Sequence, residues 1–133
     1  MRKFLIFVLV LIVAFVLIFN TTCSSMCNII VLAPLTSSLA EFGTATVNGV
    51  KMKIDEINET GGLLGHKIYM TEIDDKNEPE TAKKALNKTL KKGTAIGVIG
   101  APFSRVALEV ANVCDNIKVP FIKIGRASCR ERV

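Results

Sequence analysis

Five side chains in two short stretches could hold a small polar molecule without breaking a bond in it. "APLTSSLAEFG", Ala33 to Gly43, places the hydroxyls of Thr36, Ser37 and Ser38 ahead of the aromatic Phe42, and "GAPFSR", Gly100 to Arg105, brings Ser104 to the expected start of a helix. A hydroxyl beside free helix-start amides suits a carboxylate, because the unpaired N–H groups and the helix dipole both favour negative charge there. The same residue types also do ordinary work: Ser104 can cap its helix, and a cluster such as Thr36 to Ser38 populates many turns.

Other chemistry is poorly provided for. "APLTSS" lacks the glycines of a dinucleotide-binding turn, no GxxxxGK[ST] phosphate loop is present, and the single histidine, His66, has no evident acid–base partner. A nucleotide-using enzyme on a Rossmann-like half is therefore disfavoured, and no catalytic residue is expected. Asp74 and Asp75 alone supply too few oxygen ligands for a divalent cation, so they read as turn chemistry or lobe packing. "CSSMC" has no second Cys or His cluster to complete a zinc site. No metal and no cofactor are expected, and Cys114, on the apolar side of a helix, reads as a small core residue.

The elements that must position these residues alternate along the chain. "NIIVLAP" reads as a buried strand over Ile29–Leu32. Phe42, Ala45, Val50, Ile54 and Ile57 recur at helical spacing between Leu39 and Thr60, and Asn58, Gly61 and Gly62 close that helix. A second strand runs from Lys67 to about Ile73, with Ile68 and Met70 on one face and Tyr69, Thr71 and Ile73 on the other. Pro79 opens a second helix with the inner stripe Ala82, Ala85, Leu86, Thr89 and Leu90. "TAIGVIG" is a third strand, Val106, Val110 and Val113 line a third helix, and "KVPFI" starts a fourth strand. Strand and helix in alternation predict an α/β fold: a three-layer, doubly wound parallel sheet, whose ligands bind beyond the carboxyl ends of the strands.

The two ends distort the bulk composition. The formal charge is +5, yet from Cys23 to Ile122 eleven Lys and Arg face eleven Asp and Glu, so no nucleic-acid partner is implied. The ending "IGRASCRERV" resembles the in-frame translation of a sequencing-library adapter, which makes residues 123–133 an expected non-native tail. At the other end "MRK" precedes sixteen apolar residues, Phe4 to Phe19, the pattern of an export signal over residues 1–22, or of an uncleaved anchor. Cys23 stands where a bacterial lipoprotein carries its lipidated cysteine, although Asn20 occupies the usual leucine position. Residues 23–28 then form a short linker, and a lipid on Cys23 or the retained segment would tie the domain to a membrane surface.

Taken together, "IIVLAPLTSSLAEFG", "DEINETGGLLG", "DDKNEPE" and "GVIGAPFSRVALEV" resemble the amino-terminal lobe of the branched-chain amino acid binding proteins of ABC importers, the type I periplasmic-binding fold, over Ile29–Ile122. The resemblance implies an incomplete first lobe, 29–122, of an extracytoplasmic binding protein. Such a protein captures a small amino acid between two lobes and delivers it to ABC permease subunits. It also implies that Phe42 packs against the ligand, Ser104 meets its carboxylate, and Thr36, Ser37 and Ser38 help form the cleft wall. The alternative on the same lobe type is the ligand-sensing extracellular domain of a membrane-anchored receptor. Either way the expected place is the periplasm or the outer face of the cell membrane.

Overall fold

The computed structural model describes residues 27–93 and 95–125; the segment 4–19, Cys23 and residues 126–133, on which the signal, lipidation and tail expectations rest, lie outside the described residues. The uninterrupted apolar run becomes β1, Cys27–Ala33, two residues longer at its start than predicted. Its pleat sends Ile30 and Leu32 into one core and Val31 and Ala33 into another. Burial on both faces is what such a run requires, and it makes β1 an inner strand.

The order is β1, α1 (Ala40–Glu59), β2 (Ile68–Asp74), α2 (Pro79–Leu90), β3 (Ala95–Gly100), α3 (Ser104–Ile117), β4 (Phe121–Lys123). All pairs are parallel, and the sheet order is β2-β1-β3-β4. The crossover from β1 to β2 therefore runs one way across the sheet, and the next two run the other way. Right-handed crossovers then place α1 on one face and α2 with α3 on the opposite face. The larger core joins Ile30, Leu32 and Ile73 to Leu86 of α2 and Val106 and Val110 of α3; the smaller one joins Val31 and Ala33 to Val47 of α1.

The helices follow their capping residues. Pro79 occupies the first turn of α2, where its missing amide costs no hydrogen bond, and Thr81 Oγ1 donates to the Glu78 carboxylate (2.8 Å). The inner stripe of α2 is Ala82, Leu86 and Leu90, with Ala85 packed beside it. In α3, Ala107 and Cys114 join the three predicted valines. Burial, then the charge of Asp115, pushes the Cys114 thiol up to about 11, so it stays protonated and inert.

The buried line of α1 differs from the prediction. Gly43, Val47 and Ile54 face the sheet, whereas Phe42 is 62% exposed and Ala45 is exposed as well. The helix is rotated towards Gly43 because the chain must pass very close to the preceding loop: a Cβ on Gly43 would lie 2.0 Å from the Pro34 carbonyl oxygen. Phe42 and Ala45 consequently line an apolar groove of about 730 Å³, shared with Ile29 of β1, Ile99 of β3 and Ile124.

Asn58 links the end of α1 to the start of β2. Its Nδ2 donates to the Ile68 carbonyl (2.8 Å), and its Oδ1 accepts from the Ile68 amide (2.8 Å), so the side-chain amide stands in for a neighbouring strand. Replacing Asn58 with Ala removes both bonds, and at about 1 kcal/mol each the variant should lose about 2 kcal/mol in urea denaturation. Unchanged stability would show that the clamp contributes nothing.

Candidate functional site

At the carboxyl ends of the strands the chain leaves β1 and its neighbour β3 towards opposite faces, opening a crevice between the two exits. The loop 34–39 and the start of α1 form one side of it, and residues 101–103 with the start of α3 form the other. The sides meet through Phe42 and Phe103, whose rings stand edge to face at 82°, centroids 6.3 Å apart.

Ser104 does not cap α3. The cap position falls to Phe103, which is extended (φ −98°, ψ 131°), and no side chain satisfies the cap. Ser104 is instead the first helical residue, exposed, and its hydroxyl has no hydrogen-bond partner among the described residues. The first helical amide bond here is Ala107 N–H to the Phe103 carbonyl (3.0 Å), which leaves the amides of residues 104–106 without an intrahelical partner.

The exit from β3 is tightly built. Gly100 has φ +131°, and a Cβ there would lie 2.0 Å from the Leu32 carbonyl oxygen, so only glycine fits. The next residue, Ala101, is buried at φ +47°, a left-handed conformation costing about 1 kcal/mol, while its amide donates to the same Leu32 carbonyl (2.8 Å). These contacts hold the start of α3 against β1.

The hydroxyl loop is held by Asp74, the last residue of β2, in register with Ala33 at the end of β1. Asp74 Oδ1 accepts from the Leu35 amide (2.8 Å) and the Lys76 amide (2.9 Å), and Oδ2 accepts from the Thr36 hydroxyl. Burial works to raise the Asp74 pKa, but these hydrogen bonds together outweigh it and hold the carboxyl below its usual range. Asp75, only 1% exposed, shows the opposite balance. Burial, the largest effect, and the charge of Asp74 push it up against a hydrogen bond from the Asn77 amide.

The five predicted residues thus reach one rim in different states. Thr36 and Ser38 are exposed; Thr36 has its hydroxyl proton on Asp74, and Ser37 Oγ accepts from the Leu39 amide (3.2 Å). Phe42 and Ser104 face solvent at the crevice. Two contributors were not placed at the rim by the sequence: Phe103, hidden inside "GAPFSR", and Asp74, which reads as turn chemistry or lobe packing and does accept from the Lys76 amide, but whose bonds to Leu35 and Thr36 no local pattern reveals. No group of three or more His, Cys, Asp and Glu side chains that could hold a metal ion occurs among the described residues.

The model of the family described as "Periplasmic binding protein" matches residues 27–131. The chain is similar to the Leu/Ile/Val-binding protein BraC3 of Rhizobium johnstonii, 39% identical over 82 residues, covering 62% of this chain and 22% of that protein. It is also similar to the leucine-specific-binding protein of Salmonella typhimurium, 29% identical over 98 residues, with 74% and 26% covered. Among solved structures, the branched-chain amino acid substrate-binding protein LivJ of Streptococcus pneumoniae, in complex with isoleucine, superposes with a TM-score of 0.73 at 25% identity, covering 78% of this chain and 30% of that one. The chain therefore spans between a fifth and a third of the length of these proteins.

The two aspartates predict opposite pH slopes. Asp74, depressed, contributes stability that is present above the ordinary carboxylate pKa and lost as pH falls through its lowered value. Asp75, raised, contributes stability that is present at low pH and lost as pH rises through its elevated value. In denaturation series from about pH 3 to about pH 7, the deficit of Asp74→Asn should widen with pH, while Asp75→Asn should gain on the parent. Slopes of the same sign would contradict this electrostatic assignment.

Proposed function

The chain belongs to the periplasmic binding protein family, and on that premise we propose that it forms the first lobe of the extracytoplasmic solute-binding component of an ABC importer. The ligand class is a branched-chain or other small amino acid, taken up by lobe closure. The observation that carries this reading is the Ser104 hydroxyl and the helix-start amides of α3, which have no intrahelical partner, beside the exposed ring of Phe42. A carboxylate complements those donors, and an aliphatic side chain can cover the ring.

An open rim of this kind binds weakly by itself, since one wall buries only part of a small ligand. An opposing lobe would supply contacts for the ammonium group and shift the protein towards a closed form that permease subunits recognise. No bond in the ligand needs to break. Residues 1–23 add the proposal of export followed by retention at the membrane, through a lipid on Cys23 or the apolar segment itself.

Isothermal titration of the full-length polypeptide with leucine, isoleucine and valine should show saturable binding, and silence across amino acids and small carboxylates would refute the reading. Ser104→Ala removes a hydrogen bond to a charged group, which is worth about 1.5–3 kcal/mol. Its affinity should fall by roughly 10- to 100-fold. Parent-like affinity in that variant would move the carboxylate elsewhere.

A further inference from the structure

Asp74 is placed for more than closing its own turn. The Lys76 amide on Oδ1 is a local contact that would shape residues 74–76 and nothing else. The Leu35 amide and the Thr36 hydroxyl come from 39 and 38 residues away, and both belong to the loop that brings hydroxyls to the rim. The remaining hydrogen bonds of that loop are short-range: the Ala40 amide to the Ser37 carbonyl (3.0 Å), the Leu39 amide to Ser37 Oγ (3.2 Å), and the Phe42 and Gly43 amides to the Leu39 carbonyl (3.1 and 3.3 Å). They shape the loop but do not fix its height above the sheet. Packing holds its first two residues, where Pro34 is buried against Gly43 and Leu35 lies against the smaller core, and leaves Thr36 and Ser38 exposed.

We infer that Asp74 is a positioning residue for ligand binding: its carboxylate, fixed at the end of β2, holds Leu35 and Thr36 so that the Thr36–Ser38 wall stands preformed at the crevice. The inference rests on the binding reading above and deepens it. It also sets the polarity of Thr36. With its proton on Asp74, the Thr36 oxygen offers lone pairs to the cleft, so it can accept from a ligand ammonium group and cannot donate to a carboxylate. The wall and the start of α3 would then differ in chemical preference, the first suited to a donor and the second to an anion.

Asp74→Asn keeps an oxygen acceptor for the Leu35 amide but reverses the bond to Thr36: the Asn NH2 donates, the Thr36 oxygen accepts, and the hydroxyl proton is turned towards the cleft, where it opposes an ammonium group. Thr36→Val removes the same bond from the other side. On the full-length polypeptide, with isoleucine as the titrant, each single variant should bind roughly tenfold more weakly, and the double variant should bind about as weakly as either one, because both changes act through the same Thr36 oxygen, which each removes as an acceptor for the ligand. Thr36→Ser, which restores the hydroxyl, should recover most of the loss. Should Asp74→Asn fail to fold, the contrast between Thr36→Val and Thr36→Ser decides the matter alone. Parent-like affinity in the single variants, or losses that multiply in the double variant, would overturn the role of Asp74 while leaving the transport reading standing. Absence of isoleucine binding by the parent would remove the reading on which the role rests.

Discussion

The handedness of the crossovers is the constraint from which the rest of this structure follows. Because β1 feeds a crossover in one direction and β2 and β3 feed crossovers in the other, α1 cannot share a face with α2 and α3. The chain must part at the β1/β3 boundary. That parting creates a crevice without any dedicated binding element, and it brings two helix starts and two aromatic rings to its edges. The amino-acid-binding chemistry proposed for the lobe uses only what the parting leaves unsatisfied.

Below the crevice, packing maintains the structure; at the rim, hydrogen bonds and close backbone contacts do. The central residues of β1 are fully buried between two cores, so the ends of β1 and β3 are fixed points. Above them the chain accepts locally unfavourable conformations: Ala101, Lys76 and Asn77 all have positive φ without being glycine. Their cost is met by specific partners, the Leu32 carbonyl for Ala101 and the Asp75 carboxylate for the Asn77 amide (2.7 Å). A rim held this way keeps polar groups directed outward, where a purely apolar loop would collapse onto the sheet.

How much was legible in the sequence depended on whether the signal was periodic. β1, α2 and α3 were readable because an unbroken apolar run, a proline at a helix start and valines at helical spacing each point to one local structure. The inner face of α1 was not readable in full, since hydrophobicity favoured Phe42 and Ala45 while the sheet selected Gly43, a residue with no side chain to count. Ser104 was open to two readings, a carboxylate donor and a helix cap, because serine commonly caps. The extended backbone of Phe103 moved the boundary by one residue and turned a capping side chain into an unpartnered donor. The bond from Asp74 to Thr36 spans 38 residues, a distance over which composition and spacing carry no information.

The central claim is that a ligand carboxylate is held at the start of α3, across the crevice from the hydroxyl loop. Its most direct test is a crystal structure of the full-length polypeptide grown with isoleucine. The account predicts the ligand carboxylate within hydrogen-bond distance of Ser104 Oγ and the first amides of α3, with its aliphatic chain against Phe42. Isoleucine bound with its carboxylate away from Ser104, or lodged outside the crevice between the β1 and β3 exits, would contradict it.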